Sequence, residues 1–423
     1  MADKSAIEWT DATWNPIVGC SIATAGCTHC YAMKMAARIE AMGGAPHYAG
    51  TTKKVNGNAV WTGKLALAPE RILTEPLRWQ RPRRVFVNSM GDLFHEDVPD
   101  KWIDRVFAVM ALCPQHTFQV LTKRAKRMRE YLTGKVREDP PGHMWANNDR
   151  RSAIYGCMAG RGSQPISNGG FGQDAGFVAE RMDAMHYPNR PGGGWPLPNV
   201  WLGVSAERQQ EADQRIPELL ATPAAIRFVS AEPLLGPIDF TKIRRFPDLT
   251  KEFVHALEGR FWTDQTGLPN PDPSWAFAGR RFSDGGRGLD WIIVGGESGP
   301  SARPMHPAWP RAIRDQCAGA GVPFFFKQWG AWLPMGQSGF TAWSAANRTA
   351  AAQSKRWLGH AHFNDGAGGP ETSVTGQIET CQVLTPGEDM GTMCVRLGKK
   401  SAGRLLDGVE HNAMPELREV PAL

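Results

Sequence analysis

Arg84-Val85-Phe86-Val87-Asn88, followed by Ser89-Met90-Gly91-Asp92 and an amphipathic stretch from about Pro99 to Leu112, sets the pattern of this chain. A short β-branched and aromatic run gives way to small and polar residues, and helical periodicity follows. The succession returns four times. Thr117-Phe118-Gln119-Val120-Leu121 precedes Thr122-Lys123-Arg124 and a helix to about Leu132. Val200-Trp201-Leu202-Gly203-Val204 precedes Ser205-Ala206-Glu207 and a helix to about Leu220. Ile226-Arg227-Phe228-Val229 precedes Ser230-Ala231-Glu232. Trp291-Ile292-Ile293-Val294 precedes Gly295-Gly296-Glu297-Ser298-Gly299 and a helix from about Pro307 to Ala318. A last apolar run, Val322 to Phe326, leads into Lys327-Gln328-Trp329. Near-continuous apolar strands alternating with helices predict an α/β fold with a parallel sheet covered by helices. Sites in such folds are built at the carboxyl ends of strands. The pattern therefore gathers Asp92, Lys123, Ser205, Glu207, Glu232 and Glu297 around one mouth. Each alone reads equally as a helix cap or a loop residue; their recurrence at equivalent positions makes the set a candidate site.

Two stretches interrupt the rhythm. Residues 134–196 are rich in Gly, Pro, Asn and Arg, and residues 237–288 contain Pro269-Asn270-Pro271-Asp272-Pro273. Both read as irregular insertions between strands. Residues 336–378 are polar and glycine-containing. The expected organisation is a main body over 1–335 and a loop-rich C-terminal extension over 336–423 that packs on it.

The 423 residues are 42% hydrophobic and 21% charged, a globular balance that excludes wholesale disorder. No apolar run approaches the roughly 18 residues of a membrane helix, and the start, MADKSAIEWTDATWNP, has no apolar signal core. The expectation is a soluble, cytoplasmic protein with no membrane partner. A formal charge of +6 permits a polyanionic partner without requiring one.

Three of the eight cysteines crowd together as Cys20-x6-Cys27-x2-Cys30, directly before the helical pattern Tyr31-Ala32-Met33-Lys34-Met35-Ala36. Reduced intracellular thiols at such spacing read as metal ligands before they read as disulfides. A helix N-terminus supplies free N–H groups and partial positive charge, which favour anionic sulfur. Two centres suit the trio. A cubane iron–sulfur cluster held by three thiolates keeps one iron open for an exogenous chelator such as S-adenosylmethionine. A zinc site would need a fourth ligand, and His29 or His47 offers one.

Beyond these residues the chain resembles a phage and bacterial "three-Cys-motif" family related to radical S-adenosylmethionine enzymes, with spore photoproduct lyase a distant relative. The likeness runs through Trp14-Asn15-Pro16 to Tyr31-Ala32 and through residues 85–99, 121–124, 199–207, 228–238, 290–307, 322–330 and 398–408. It implies a partial (β/α)6 TIM-type barrel with loop insertions. It also implies a [4Fe-4S] cluster on Cys20, Cys27 and Cys30, S-adenosyl-L-methionine as cofactor, and an electron donor such as flavodoxin or ferredoxin. The commonest spacing in that superfamily is Cys-x3-Cys-x2-Cys; the first gap here is six. Ser89, Gly91 and Asp92 stand where a Gly-Gly-Glu-like segment holds the methionine amino group. Ser205 and Glu207 stand where ribose or carboxylate contacts are made, and Lys123 or Arg208 would pair with the methionine carboxylate. Gly295, Gly296 and Glu297 would admit adenine or substrate close to the backbone, or form a tight strand-to-helix turn.

The substrate implied is DNA. The phage context suggests hypermodification of thymine, such as isomerisation of an amino-acid adduct in the host cytoplasm; the likeness to spore photoproduct lyase suggests repair of a thymine lesion. The positive charge, Arg150, Arg151, Arg161, Arg181 and Arg190 in the first insertion, and sixteen tryptophans against five tyrosines agree with nucleic acid. Two other readings are a zinc-stabilised, non-catalytic nucleic-acid-binding protein and a radical enzyme acting on a peptide or metabolite. Cys113, Cys157 and Cys317 are either hydrogen-atom relays or inert buried thiols.

Overall fold

The structure, a computed structural model, describes residues 5, 7–134, 154, 157–158, 195–245, 252–263, 280–281, 287–334, 378–381 and 392–416. Its centre is a seven-stranded sheet: β1 (Ala12–Trp14), β2 (Arg84–Val87), β3 (Thr117–Thr122), β4 (Val200–Ser205), β5 (Ile226–Ala231), β6 (Trp291–Gly295) and β7 (Phe324–Gln328). Every neighbouring pair is parallel, and the strands lie side by side in chain order. A doubly wound sheet reverses strand order at a switch point; this one never does. With right-handed crossovers such an order sends every connection to the same face, and the sheet curls into a half-barrel. The repeated strand–helix pattern anticipated six of these strands. The seventh, β1, is only three residues long and falls below any periodicity signal.

The helices of nine or more residues among the described residues are α1 (Tyr31–Ala41), α2 (Asp100–Ala111), α3 (Ala125–Thr133), α4 (Gln209–Leu220) and α5 (Ala308–Ala320). They follow β1, β2, β3, β4 and β6. The connection from β5 to β6 departs from the alternation. It contains a four-stranded antiparallel sheet of Ile243–Arg244, Glu252–His255, Arg260–Thr263 and Arg280–Arg281. Part of the segment expected to be irregular is therefore ordered. Val254, Ala256 and Leu257 bury their side chains in the main core, and Gly259 turns the chain at φ +70°.

Strand alternation divides the apolar residues between two cores. Val85, Val87, Leu202, Val204, Val229, Ile292 and Val294 face the helices. Trp9, Phe86, Trp201, Phe228, Trp291 and Phe325 face the concavity. There the rings meet edge-on: Trp9 and Phe86 at 5.0 Å between centroids, Trp201 and Trp291 at 6.0 Å, Trp291 and Phe325 at 6.0 Å. They form an aromatic floor at the amino-terminal end of the barrel. These tryptophans, with Trp14, Trp329 and Trp332, are core residues, so these six give no support to base stacking. Cys113 and Cys317 lie fully buried on the helix side, with Cys157 packed against the same core. Burial pushes the Cys157 and Cys317 thiols up to about 12, which suits inert thiols.

The C-terminal segment packs on the edge of the half-barrel. Phe326 N–H donates to His411 O at 2.9 Å, Trp291 Nε1 donates to Ala413 O at 2.9 Å, and Met414 packs against the floor. Arg311 and Arg314 both reach Asp407, at 2.6 and 2.8 Å. The open edge of β7 is thereby covered. The first insertion, including its five arginines, lies outside the described residues apart from Gly134, Ile154, Cys157, Met158, Trp195 and Pro196. Most of 336–378 also lies outside them. Among the described residues no helix is long and apolar enough to cross a membrane.

Candidate functional site

The cysteine loop begins where β1 ends. Gly19 turns the chain at φ +93° and bridges to Gly91; a Cβ on Gly19 would fall 2.0 Å from Lys64 O, so only glycine fits. From there the loop crosses the carboxyl ends of the strands and delivers Cys30 to the N-cap of α1. Cys20 and Cys30 are half-buried and Cys27 is buried. Burial pushes the Cys20 thiol up to about 12, helped by Asp92 and opposed by Arg124. Burial also raises Cys30, against the N–H groups of Ala32 and Met33, which face its sulfur. Cys27 sits close enough to raise both neighbours.

Three carboxylates tie this loop to the barrel. Asp92, after β2, accepts Thr122 Oγ1 at 2.6 Å, Phe94 N at 3.0 Å, Lys123 N at 3.1 Å and Arg124 Nη1 at 3.2 Å. Arg124 then reaches the loop: Ser21 Oγ at 2.9 Å, Ser21 O at 3.0 Å and Cys20 Sγ at 3.6 Å. Glu207, after β4, is fully buried. It accepts Thr24 Oγ1 at 2.9 Å, Arg215 Nη1 at 3.0 Å and the Lys123 ammonium. Gly26 lies so close that a Cβ there would fall 2.3 Å from the Glu207 carboxylate. Glu297, after β6, takes a two-pronged Arg303 at 2.7 and 2.8 Å and faces His29 Nδ1 at 3.2 Å, while Arg303 also donates to Ala25 O at 3.0 Å. Burial works against the charges of Glu207 and Glu297. Lys123 and Arg215 nevertheless hold Glu207 below its ordinary value, and Arg303 and His29 do the same for Glu297.

The structure thus brings Asp92, Lys123, Glu207 and Glu297 together around the cysteine loop. Ser89 bonds Asn15 Oδ1 at 3.1 Å, and its carbonyl accepts Tyr31 O–H at 3.0 Å. Gly91 packs under Gly19. Ser205 lends its carbonyl to Arg215 at 2.7 Å. Arg208 is half-buried and paired with Glu211, and the Glu207 charge reaches it without a hydrogen bond. Gly295 and Gly296 serve internal packing: a Cβ on Gly295 would fall 2.2 Å from Glu232 Oε1, and one on Gly296 would fall 2.0 Å from Trp329 O. Thr24, Arg124, Arg215 and Arg303 were not singled out from sequence. Arg303 lies six residues past Glu297, and the spacing of neither pair member signals the contact.

Among the described residues no three His, Cys, Asp or Glu side chains form a group that could hold a single metal ion. A single zinc with bonds of about 2.3 Å draws its thiolates tightly together; a cubane binds each thiolate to a different iron and asks for wider spacing. The donor set suits a thiolate-ligated centre. Three thiols share one loop, a helix N-terminus faces one of them, and a guanidinium faces another. His29, the nearer candidate for a fourth zinc ligand, bonds Glu297 through Nδ1, a contact of the kind that orients a ligating imidazole and leaves Nε2 to the metal.

Fold and site together define a class: an α/β protein whose sequentially ordered parallel half-barrel is capped, at the carboxyl ends of its strands, by a three-cysteine loop. Residues 4–415 match the family described as "Protein of unknown function (DUF5131)", and the chain belongs to that family. No curated protein and no solved structure matches it.

Proposed function

We propose that this chain is a radical S-adenosylmethionine enzyme of the partial (β/α)6 type, with Cys20, Cys27 and Cys30 holding a [4Fe-4S] cluster. The observation that carries the reading is the position of the cysteine loop. It lies across the carboxyl ends of the parallel strands and is clamped there by Asp92–Arg124, Glu207–Lys123–Arg215 and Glu297–Arg303. When bound, such a cluster with one open iron supplies an electron that cleaves S-adenosylmethionine to a 5′-deoxyadenosyl radical. The chain's own residues hold the loop, keep Arg124 beside Cys20 and present the N–H groups of α1 to Cys30. The half-barrel below offers a lumen shielded by the aromatic floor, where a reactive carbon would be kept from water.

The substrate assigned is a thymine-derived base in DNA, as hypermodification ahead of lesion repair. The +6 charge and the family resemblance support it. A cleft of about 490 Å³ beside the loop is lined by Lys123, Arg124, Lys126 and Arg127, each paired with a carboxylate, and by Glu96 and Glu130. A duplex base would have to be flipped out to reach the lumen.

Anaerobic reconstitution tests the cluster. Wild type should take up iron and acid-labile sulfide in equal amounts and, with a reductant, release 5′-deoxyadenosine; Cys27→Ala should lose both. Unchanged iron in the variant, or zinc in place of iron, overturns the assignment. Reconstituted protein that cleaves S-adenosylmethionine but neither binds nor alters DNA overturns the substrate.

A further inference from the structure

The positive charge of the chain is concentrated in one place. Residues 12–69 contain Lys34, Arg38, Lys53, Lys54 and Lys64 and a single carboxylate, Glu40. Four of the six excess positive charges of the whole chain therefore fall in this stretch. It folds as a lobe in which α1 packs on a β-hairpin. Ala32, Met33 and Ala36 meet Tyr48 and Trp61 in one apolar cluster, and Cys20 and Cys30 pack against it. The lobe is thus built directly onto the cysteine loop.

Its cations face outward. On α1 the side opposite Ala32, Met33 and Ala36 exposes Tyr31, Lys34, Met35 and Arg38. Thr52–Val55 pairs antiparallel with Asn58–Trp61. Asn56 and Gly57 join the strands at φ 48° and 77°, a tight two-residue turn. Trp61 holds the base of the hairpin in the core, while Lys53 and Lys54 stand exposed on its two faces.

The lobe's one carboxylate is used internally: Glu40 accepts Gly50 N–H at 2.7 Å. Lys64 donates to Ala49 O at 2.7 Å. Among the described residues Lys34, Arg38, Lys53 and Lys54 meet no carboxylate. The cations around the mouth differ, since Lys123, Arg124, Arg215, Arg303 and Lys327 each hold one. Surface lysines are ordinarily interspersed with acids; here the acids are missing from the whole lobe, which leaves a positive field beside the cysteine loop. Tyr31 adds a second feature. Its O–H donates to Ser89 O at 3.0 Å, yet the residue is 56% exposed, so the ring is fixed with its surface open to solvent. Free cations around a fixed, exposed aromatic ring are what hold a single strand, by phosphate contact and base stacking. A protein partner fits less well: three of the four free cations are lysines, which protein interfaces avoid, and Asn56, Gly57 and Asn58 make the hairpin tip polar.

We propose that α1 and the hairpin Thr52–Trp61 form a platform for single-stranded nucleic acid, with the four cations on phosphates and Tyr31 against a base, leading the strand to the cysteine loop. That this strand is substrate DNA rests on the reading under "Proposed function"; that the lobe binds nucleic acid does not.

The test uses the full-length chain and fluorescence anisotropy with oligothymidylate and oligouridylate of about 20 nucleotides. Four phosphate contacts predict that log affinity falls against log salt with a slope of about −3 or steeper. Replacing two of them, in Lys53→Gln/Lys54→Gln, should flatten the slope by about 1.4 and weaken binding roughly 10- to 30-fold near 0.1 M salt. Lys101→Gln/Lys400→Gln removes the same charge from exposed positions elsewhere and should bind as wild type does. Tyr31→Leu should weaken binding about 5-fold or more with the slope unchanged. The proposal is overturned if wild type binds neither strand, if the two double variants weaken equally, or if the hairpin variant keeps wild-type affinity. An acidic redox protein that binds wild type and is lost from the hairpin variant, with strand binding unchanged, makes the partner a protein and overturns it too. Tighter binding of oligouridylate than of oligothymidylate keeps the platform and removes DNA as the substrate. Iron uptake and 5′-deoxyadenosine release are measured separately, so failure of the cluster and failure of the platform are told apart.

Discussion

Glu207 shows what a single side chain contributes here. It is fully buried, and it joins the cysteine loop through Thr24, strand β3 through Lys123 and helix α4 through Arg215. Removing one member of a buried ionic group leaves the others charged and unpaired, at a cost of about 3–5 kcal/mol. Glu207→Ala should lower the urea midpoint accordingly. Glu130→Ala, which removes an exposed pair with Lys126 at 4.0 Å, should cost under about 0.5 kcal/mol. Equal shifts in the two variants would refute the clamp. The sequence placed Asp92, Lys123, Glu207 and Glu297 at strand ends because the strand–polar–helix pattern repeats. It did not reveal Thr24, which lies 183 residues from Glu207, or Arg215 and Arg303, because such pairings depend on where the folded chain returns. The pairing of Glu232 with Lys327, 95 residues away, was equally invisible.

At the scale of elements, apolar runs and helical periodicity located β2 to β7 and all four helices after β2 to within a few residues. That success has a simple cause. A strand buried on both faces must be apolar throughout, and the helix covering it must carry an apolar stripe. The meander between β5 and β6 was missed because its strands are short and flanked by proline and glycine. Gly203 illustrates how tightly β4 and β5 are fitted. A Cβ there would fall 2.5 Å from the Phe228 ring, and that ring is held by Trp9 and Trp291 at 6.3 and 5.8 Å. Gly203→Ala should therefore destabilise by about 1–3 kcal/mol through overpacking. A thermal midpoint indistinguishable from wild type would show that the floor can give way.

At the scale of the molecule, the C-terminal segment closes both the β7 edge and the barrel floor, and Asp407 is one of its attachments. Hydrogen bonds from Arg311 and Arg314 hold the Asp407 carboxyl below its ordinary value of 3.8. A depressed folded-state pKa adds stability that is complete above the ordinary value and fades as pH falls through the folded one. Amide exchange at Phe326, corrected for intrinsic rate, should thus accelerate below about pH 3.8 before β3 opens. Asp407→Asn should show the faster exchange already at neutral pH. Identical protection at pH 3 and pH 7 in wild type would remove Asp407 from the attachment.

By itself the sequence determined the local alternation, the parallel α/β class, the cysteine trio at a helix start and the polar residues after each strand. These follow from composition and periodicity over a few residues, where burial and backbone geometry leave little choice. Only the tertiary structure decided that the strands run in unbroken order and that β1 adds a seventh. Only it decided that the tryptophans form a floor, that three carboxylates clamp the cysteine loop, and that Glu232 and Lys327 pair with each other. Those facts depend on contacts between residues far apart in the chain, and the free energy that selects among them comes from packing and ion pairing that no local window contains.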